Sequence, residues 1–260
     1  MAKSKARQAT VTKSNFDGAA GKFARSIYST PKGKVRLAVL QRDLAELRNG
    51  APLRILDIGA GMGQMALWFA EAGHQVTLCD ISADMLAEAK INARERQLEQ
   101  QLEFIHSDLF ALPPTAPFDL ILCHAVIEWV EQQAAFVAKL GEFLKPQGHL
   151  SLMAYNAKSK LFHNLVAGNF DHVASGMKRR SRQRLSPQWP VDLQALQQTL
   201  VDNEFCQLKR SGVRVFSDYV RDREQAAANE QQLIELELSY ADDQELCAIA
   251  RYVHYVCQRR

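Results

Sequence analysis

The 260-residue sequence contains no apolar run near the roughly 18 residues that a membrane-spanning helix requires. Its first residues lack the unbroken apolar core of a secretory signal, so the expected compartment is the cytoplasm. Cysteine is sparse: Cys79, Cys123, Cys206, Cys247 and Cys257 are odd in number, far apart and never in a CxxC pair. This argues against a disulfide framework and a zinc site, and the expectation is reduced, mostly buried thiols and no bound metal. There is no internal repeat and no large excess of one charge, the net value being +3. With 47% apolar and 23% charged residues the chain has the composition of an ordinary globular protein, long enough for one domain with an elaboration.

The modest net charge is unevenly spread. Met1 to Ser14 carries Lys3, Lys5, Arg7 and Lys13 with no acid, and residues 1–15 read as a disordered basic tail ahead of a single domain over 16–260. Lys178, Arg179, Arg180, Arg182 and Arg184 crowd a second short stretch. Local potential steers a polyanion more than net charge does, so this cluster is a candidate nucleic-acid contact; the plain alternative is a solvated loop.

Leu37, Leu40, Leu44 and Leu47 recur at helical spacing and predict a leading helix over Arg36 to Leu47. Strands are then predicted at Leu53 to Ile58, Gln75 to Cys79, Leu102 to His106, Phe118 to Cys123 and His149 to Ala154. Helices are predicted between them at Gln64 to Ala72, Asp84 to Arg96 and Phe136 to Leu144. Such alternation gives a mostly parallel sheet covered on both faces. From Tyr155 to Pro190 the pattern breaks for longer than a plain connection needs, which suggests a substrate-binding insertion after strand five. A helix near Asp192 to Asn203, a strand near Phe205 to Val215, a helix at Gln231 to Tyr240 and a closing strand at Tyr252 to Val256 complete a seven-stranded α/β fold.

The sharpest local signal is Asp57-Ile58-Gly59-Ala60-Gly61-Met62-Gly63, between a strand and a helix. Glycines remove Cβ atoms, so a ligand can approach the backbone there. The spacing is GxGxG, with Gln64 where the dinucleotide fingerprint would have its third glycine. Asp80 ends the second strand, where an acid can accept hydrogen bonds from ribose hydroxyls or simply begin the next helix.

This arrangement resembles the class I S-adenosylmethionine-dependent methyltransferases, whose fold is Rossmann-like. The resemblance implies S-adenosyl-L-methionine as cofactor, with Asp57, Gly59, Ala60 and Gly61 beside its methionine portion and Asp80 on its ribose. It also implies Leu109 and Phe110 at the adenine and His124 at the sulfonium end. Further stretches, among them Lys22-Phe23-Ala24-Arg25, His124-Ala125-Val126, Glu128-Trp129-Val130, Tyr155-Asn156-Ala157 and Gly212-Val213-Arg214-Val215-Phe216, are similar to the bacterial family of tRNA 5-carboxymethoxyuridine methyltransferases. That family esterifies the carboxylate of 5-carboxymethoxyuridine at the wobble position of the anticodon. By this resemblance Arg36 pairs with the methionine carboxylate, and the anticodon stem-loop is the partner.

A carboxylic acid of ordinary pKa, about 4, is ionised at neutral pH, so methylating it needs no general base. Catalysis then rests on alignment. Tyr155, Arg25 and Arg214 are the candidate groups for holding the acceptor, Asn156 being a fourth polar group in the same segments. Lys178 to Arg184 is the candidate phosphate contact, with Trp189 either a stacking platform or part of the core. A methyltransferase acting on small carboxylic acids would keep the cofactor site without needing the basic insertion.

Overall fold

The computed structural model describes residues 30–177 and 187–260. Five strands, β1 (Arg54–Ile58), β2 (Gln75–Asp80), β3 (Leu102–His106), β4 (Phe118–His124) and β5 (Leu144–Tyr155), run parallel. Two more, β6 (Phe205–Val213) and β7 (Tyr252–Arg259), extend the sheet, β7 antiparallel to both of its neighbours. The order is β3-β2-β1-β4-β5-β7-β6. The mostly parallel α/β sheet expected from the sequence is the one found.

Why these strands pair is visible in their burial. The runs Ile55 to Ile58 and Val76 to Asp80 are buried on both faces, as central parallel strands must be when helices cover both sides. One face packs Leu56, Ile58, Ile121, Leu150 and Leu152 against α4 (Gln133–Glu142) and α7 (Leu193–Asp202) through Phe136, Leu140, Leu196 and Leu200. The other packs Ile55, Leu120, Leu122 and Met153 against α1 (Pro31–Asn49), α2 (Gln64–Ala70) and α3 (Ala83–Glu95) through Val39, Leu40, Leu44, Phe69 and Leu86. Each such side chain contributes about 1.5–3 kcal/mol on burial, so the two apolar faces fix which way every strand points.

The remaining helices are α5 (Ala157–Val166), α6 (Phe170–Ala174), α8 (Arg223–Ala228), α9 (Glu230–Tyr240) and α10 (Gln244–Cys247). The predicted insertion thus contains α5 and α6 before residue 178, and Tyr155 is the last residue of β5. Strand five starts at Leu144 rather than His149: Pro146 and Gly148 suggest a turn, yet they sit within the strand, beside a register shift between Phe118 and Leu120. The leading helix is longer than its leucine pattern, because Thr30 caps it with a side-chain oxygen that accepts from the Gly33 amide and Pro31 fits its first turn.

The topology itself locates a binding crevice. From β1 the chain moves outward to β2 and β3, then returns to the other side of β1 with β4. At such a switch point the connections leaving the carboxyl ends of adjacent strands diverge and leave a cleft. The glycine turn after β1 and the segment after β4 therefore border one crevice.

Candidate functional site

Three glycines in left-handed conformations shape the turn after β1: Gly59 at φ +66°, Gly61 at +56° and Gly63 at +79°. A Cβ on Gly59 would lie 2.3 Å from Val126 Cγ2, in the segment after β4. The bare glycine thus lets the two walls of the crevice approach while leaving backbone exposed to a ligand. The turn is pinned to β2, since Gly59 and Ala60 amides donate to the Cys79 carbonyl at 2.8 and 3.3 Å.

Asp80 completes this loop. One carboxylate oxygen accepts from the Gly61 amide and the other from the Ser82 amide, both at 2.8 Å. Ser82, not Asp80, caps α3, its hydroxyl accepting from Met85. The capping alternative for Asp80 therefore falls away. Burial raises its pKa against the downward pull of those two amides. Asp57 lies nearby, buried and without a hydrogen-bond donor among the described residues; burial and the Asp80 charge push it up to about 8. Two carboxyl groups in one dry neighbourhood make the turn a place where a cation is welcome.

The opposite wall is built from β4 and its continuation. His124 is partly exposed and its Nε2 meets Ser151 Oγ at 2.7 Å. Arg36 is half-buried on α1, and its charge acts on His124, Glu128 and Tyr252. Leu109 and Phe110 form a single 3-10 turn after β3, with Asp108 accepting from the Phe110 and Ala111 amides. Leu109 is buried in the core, while Phe110 is half-buried with its ring edge-on to Phe136 at 6.2 Å.

In the sequence Glu128 stands out only within the family-like stretch Glu128-Trp129-Val130, with no role attached to it. It is fully buried in the short turn Ile127–Trp129, and neither carboxyl oxygen has a hydrogen-bond partner among the described residues. Burial, only partly offset by neighbouring backbone amides and Arg36, pushes its pKa up to about 8. Between an unfolded pKa near 4.3 and that value, the folded protein holds a proton the unfolded chain has lost, so stability declines as pH rises through this window. Glu128→Gln should accordingly match the wild type in melting temperature near pH 4 and exceed it by roughly ten degrees near pH 8, a gain of about 4 kcal/mol. A difference that stays constant across that range in thermal melts would show that Glu128 is ionised throughout.

A second group of charges gathers where β5, β6 and β7 end. Tyr155 is buried, edge-on to Tyr252 at 5.4 Å, with the Arg251 guanidinium 5.4 Å from its ring centre. Arg214, in a left-handed conformation at φ +62°, makes a two-oxygen contact with Asp218. Asp218 is buried and also draws Arg251 at 3.3 Å and Lys32 at 3.4 Å. Burial opposes its ionisation, yet the arginines and the lysine hold its carboxyl below the usual range. Three cations on one carboxylate leave a local surplus of positive charge beside Tyr155, suited to a negatively charged acceptor. Asp218 lies in a further family-like stretch, Asp218-Tyr219, with no role attached to it, and Arg251 offered no motif by which the sequence alone could single it out.

Arg25 and the basic cluster Lys178, Arg179, Arg180, Arg182 and Arg184 lie outside the described residues, as does the 1–15 tail. Trp189 is half-buried, its amide donating to the Glu128 carbonyl and its own carbonyl accepting from Gln133, so it ties the end of the insertion to the crevice wall. A concavity of about 550 Å³ lined by Leu53, Gln75, Thr77, Gln101 and Asp119 is at the amino edge of the sheet, away from the glycine turn. Among the described residues no helix is long and apolar enough to cross a membrane, and no group of three His, Cys, Asp or Glu could hold a metal ion.

Residues 55–148 match the family model described as a methyltransferase domain. The chain is 42% identical, over 94% of its length and 96% of the relative's, to the tRNA 5-carboxymethoxyuridine methyltransferase of Escherichia coli. A ubiquinone biosynthesis O-methyltransferase of Rhodopseudomonas palustris is 32% identical over 49% of each chain. Among solved structures, the magnesium protoporphyrin IX methyltransferase of Synechocystis, with bound SAH, superposes with a TM-score of 0.64 at 17% identity, covering 96% of this chain and 98% of that one. At that identity the likeness is one of fold.

Proposed function

The chain belongs to the tRNA 5-carboxymethoxyuridine methyltransferase family, within the S-adenosylmethionine-dependent methyltransferases, and from that premise we propose that it methylates the carboxylate of 5-carboxymethoxyuridine at the tRNA wobble position. The observation that carries the proposal is the similarity along nearly the whole chain, beyond the cofactor-binding half that small-molecule methyltransferases share. The cation surplus of Lys32, Arg214 and Arg251 around Asp218, beside Tyr155, supports an anionic acceptor. The cytoplasm, where tRNA is modified, is the compartment that follows.

The residues present suit the cofactor. A Cβ-free turn at Gly59 admits it to the backbone, and the buried carboxyl groups of Asp57 and Glu128 suit a cation. S-adenosylmethionine supplies, when bound, a sulfonium methyl group. Asp80 would hold its ribose, Asp57 with Gly59, Ala60 and Gly61 the methionine portion, and Arg36 the methionine carboxylate. Leu109 and Phe110 would border the adenine, and His124 the sulfonium end.

On the acceptor side Tyr155, Arg214 and Arg25 would orient the substrate carboxylate. The Arg214 guanidinium is already shared with Asp218, which tempers its pull on an incoming anion. A freely paired arginine would stabilise the bound carboxylate as much as the transition state and so add nothing to the rate. No proton needs to move, since the acceptor oxygen is ionised at neutral pH. Lys178, Arg179, Arg180, Arg182 and Arg184 would neutralise anticodon-stem phosphates.

The proposal separates from a small-acid methyltransferase in one assay. Incubated with methyl-labelled S-adenosylmethionine, the protein should label bulk bacterial tRNA and leave small carboxylic acids unlabelled. Mild alkali should release that label as methanol, as an ester requires. Alkali-stable label in tRNA, or label only in the small acids, would count against it.

A further inference from the structure

Glu237 is an acid that no step of the methyl transfer uses, yet it is completely buried. It shares the inward face of α9 with Leu233, one turn earlier, while Glu235 on the same helix is exposed. A buried carboxyl group is costly unless donors surround it. Glu237 has three, all backbone amides of one short loop. Val215 donates to Oε2 at 2.8 Å, and Phe216 and Ser217 donate to Oε1 at 3.2 and 2.8 Å. Successive amides that converge in this way form the concavities in which a backbone binds anions. Here the occupant is a side chain of the protein itself, so the outcome is a fixed loop and not a ligand site.

That loop carries both members of the ion pair beside Tyr155. Arg214 immediately precedes Val215, and Asp218 immediately follows Ser217. Arg214 is left-handed at φ +62°, a conformation that strains an arginine and would leave a glycine unstrained. Such strain persists only where the surroundings over-determine it. Three contacts do so at Arg214. The Glu237 carboxyl holds the peptide that follows it, the Arg251 amide donates to its carbonyl at 3.1 Å, and Asp218 holds its side chain. Both bonds to Asp218 come from Nη2, and Arg214 Nε is buried with no hydrogen-bond partner among the described residues. The ion pair therefore leaves part of the guanidinium uncommitted.

We propose that Glu237 is a positioning residue for the acceptor side: by capturing the amides of Val215, Phe216 and Ser217 it holds Arg214 in its left-handed conformation and sets where the Arg214–Asp218 pair stands beside Tyr155. This rests on the acceptor role given to Arg214 above. Glu237 touches no reacting group and acts through the backbone of the loop. Glu237→Gln keeps the shape of the side chain, but one of its two terminal atoms becomes an amide nitrogen, which donates and cannot accept. Whichever way that amide turns, at least one loop N–H loses its acceptor, and the strained peptide is free to relax.

The test is a double-substitution cycle read by methyl transfer to tRNA carrying 5-carboxymethoxyuridine. Glu237→Gln should lower kcat/KM about 10- to 100-fold, the scale of a displacement of about 1 Å at an orienting group. Its S-adenosylmethionine affinity by calorimetry should stay within about twofold of the wild type, because the cofactor side is a separate set of contacts. In an Arg214→Met background the same substitution should cost less than about twofold, since its route to the acceptor is already gone. Equal losses in both backgrounds would overturn the proposal, as a Glu237 that only supports the fold costs the same with or without Arg214. So would an unchanged rate, or a cofactor affinity that falls in step with the rate. Should Glu237→Gln not fold, Glu237→Asp, which keeps both oxygens but draws them back by one methylene, goes through the same cycle with the same criteria. A wild type inactive on this tRNA would overturn this proposal together with the tRNA assignment, whereas an active wild type with equal losses in the two backgrounds overturns this proposal alone.

Discussion

Asp80→Ala should weaken S-adenosylmethionine binding by roughly 30- to 100-fold in calorimetry, because a buried carboxylate that accepts hydrogen bonds from hydroxyls contributes about 2–3 kcal/mol. The same carboxylate braces the loop through the Gly61 and Ser82 amides, so part of any loss could come from a slackened turn. An analogue without ribose hydroxyls separates the two effects. If Asp80 binds ribose, the substitution should cost the complete cofactor far more affinity than the analogue. Equal losses for both would reduce Asp80 to a brace.

What the sequence made legible was whatever is encoded locally. The alternation of strands and helices, the glycines between β1 and α2, and the acid at the end of β2 depend on periodicity or on close spacing, and each lies where expected. Strand boundaries were less legible where turn-forming residues sit inside a strand, as with Pro146 and Gly148 in β5. The short helices α8 and α10 have too few residues to display a period. Harder still were groups assembled from distant parts of the chain. Asp43 and Ser151, which both hydrogen-bond His254, are 211 and 103 positions from it. Their meeting depends on β7 inserting between β5 and β6, which no local pattern announces. Glu128 was named within a family-like stretch but given no role for another reason: a single acid among Ile127, Trp129 and Val130 has no spacing signal, and its full burial becomes visible only in the fold.

The central claim is tested most directly by the acceptor the enzyme demands. A carboxylate is nucleophilic as it stands, whereas C5 of an unmodified uracil needs covalent activation, ordinarily by a thiolate. The cysteine beside the crevice cannot provide one, since Cys123 is fully buried and its thiol is pushed well above the usual range by burial, with the Glu128 and Asp57 carboxyls adding to the effect. Methyl transfer should therefore require that the carboxymethoxy group be present already. The measurement is mass spectrometry of the wobble nucleoside after reaction with tRNA from cells that make 5-carboxymethoxyuridine and with tRNA from cells that do not. The first should gain one alkali-labile methyl group, with initial rates exceeding the second by more than about 100-fold, the scale expected when the reacting group itself is missing. Equal methylation of the two tRNAs would contradict ester formation.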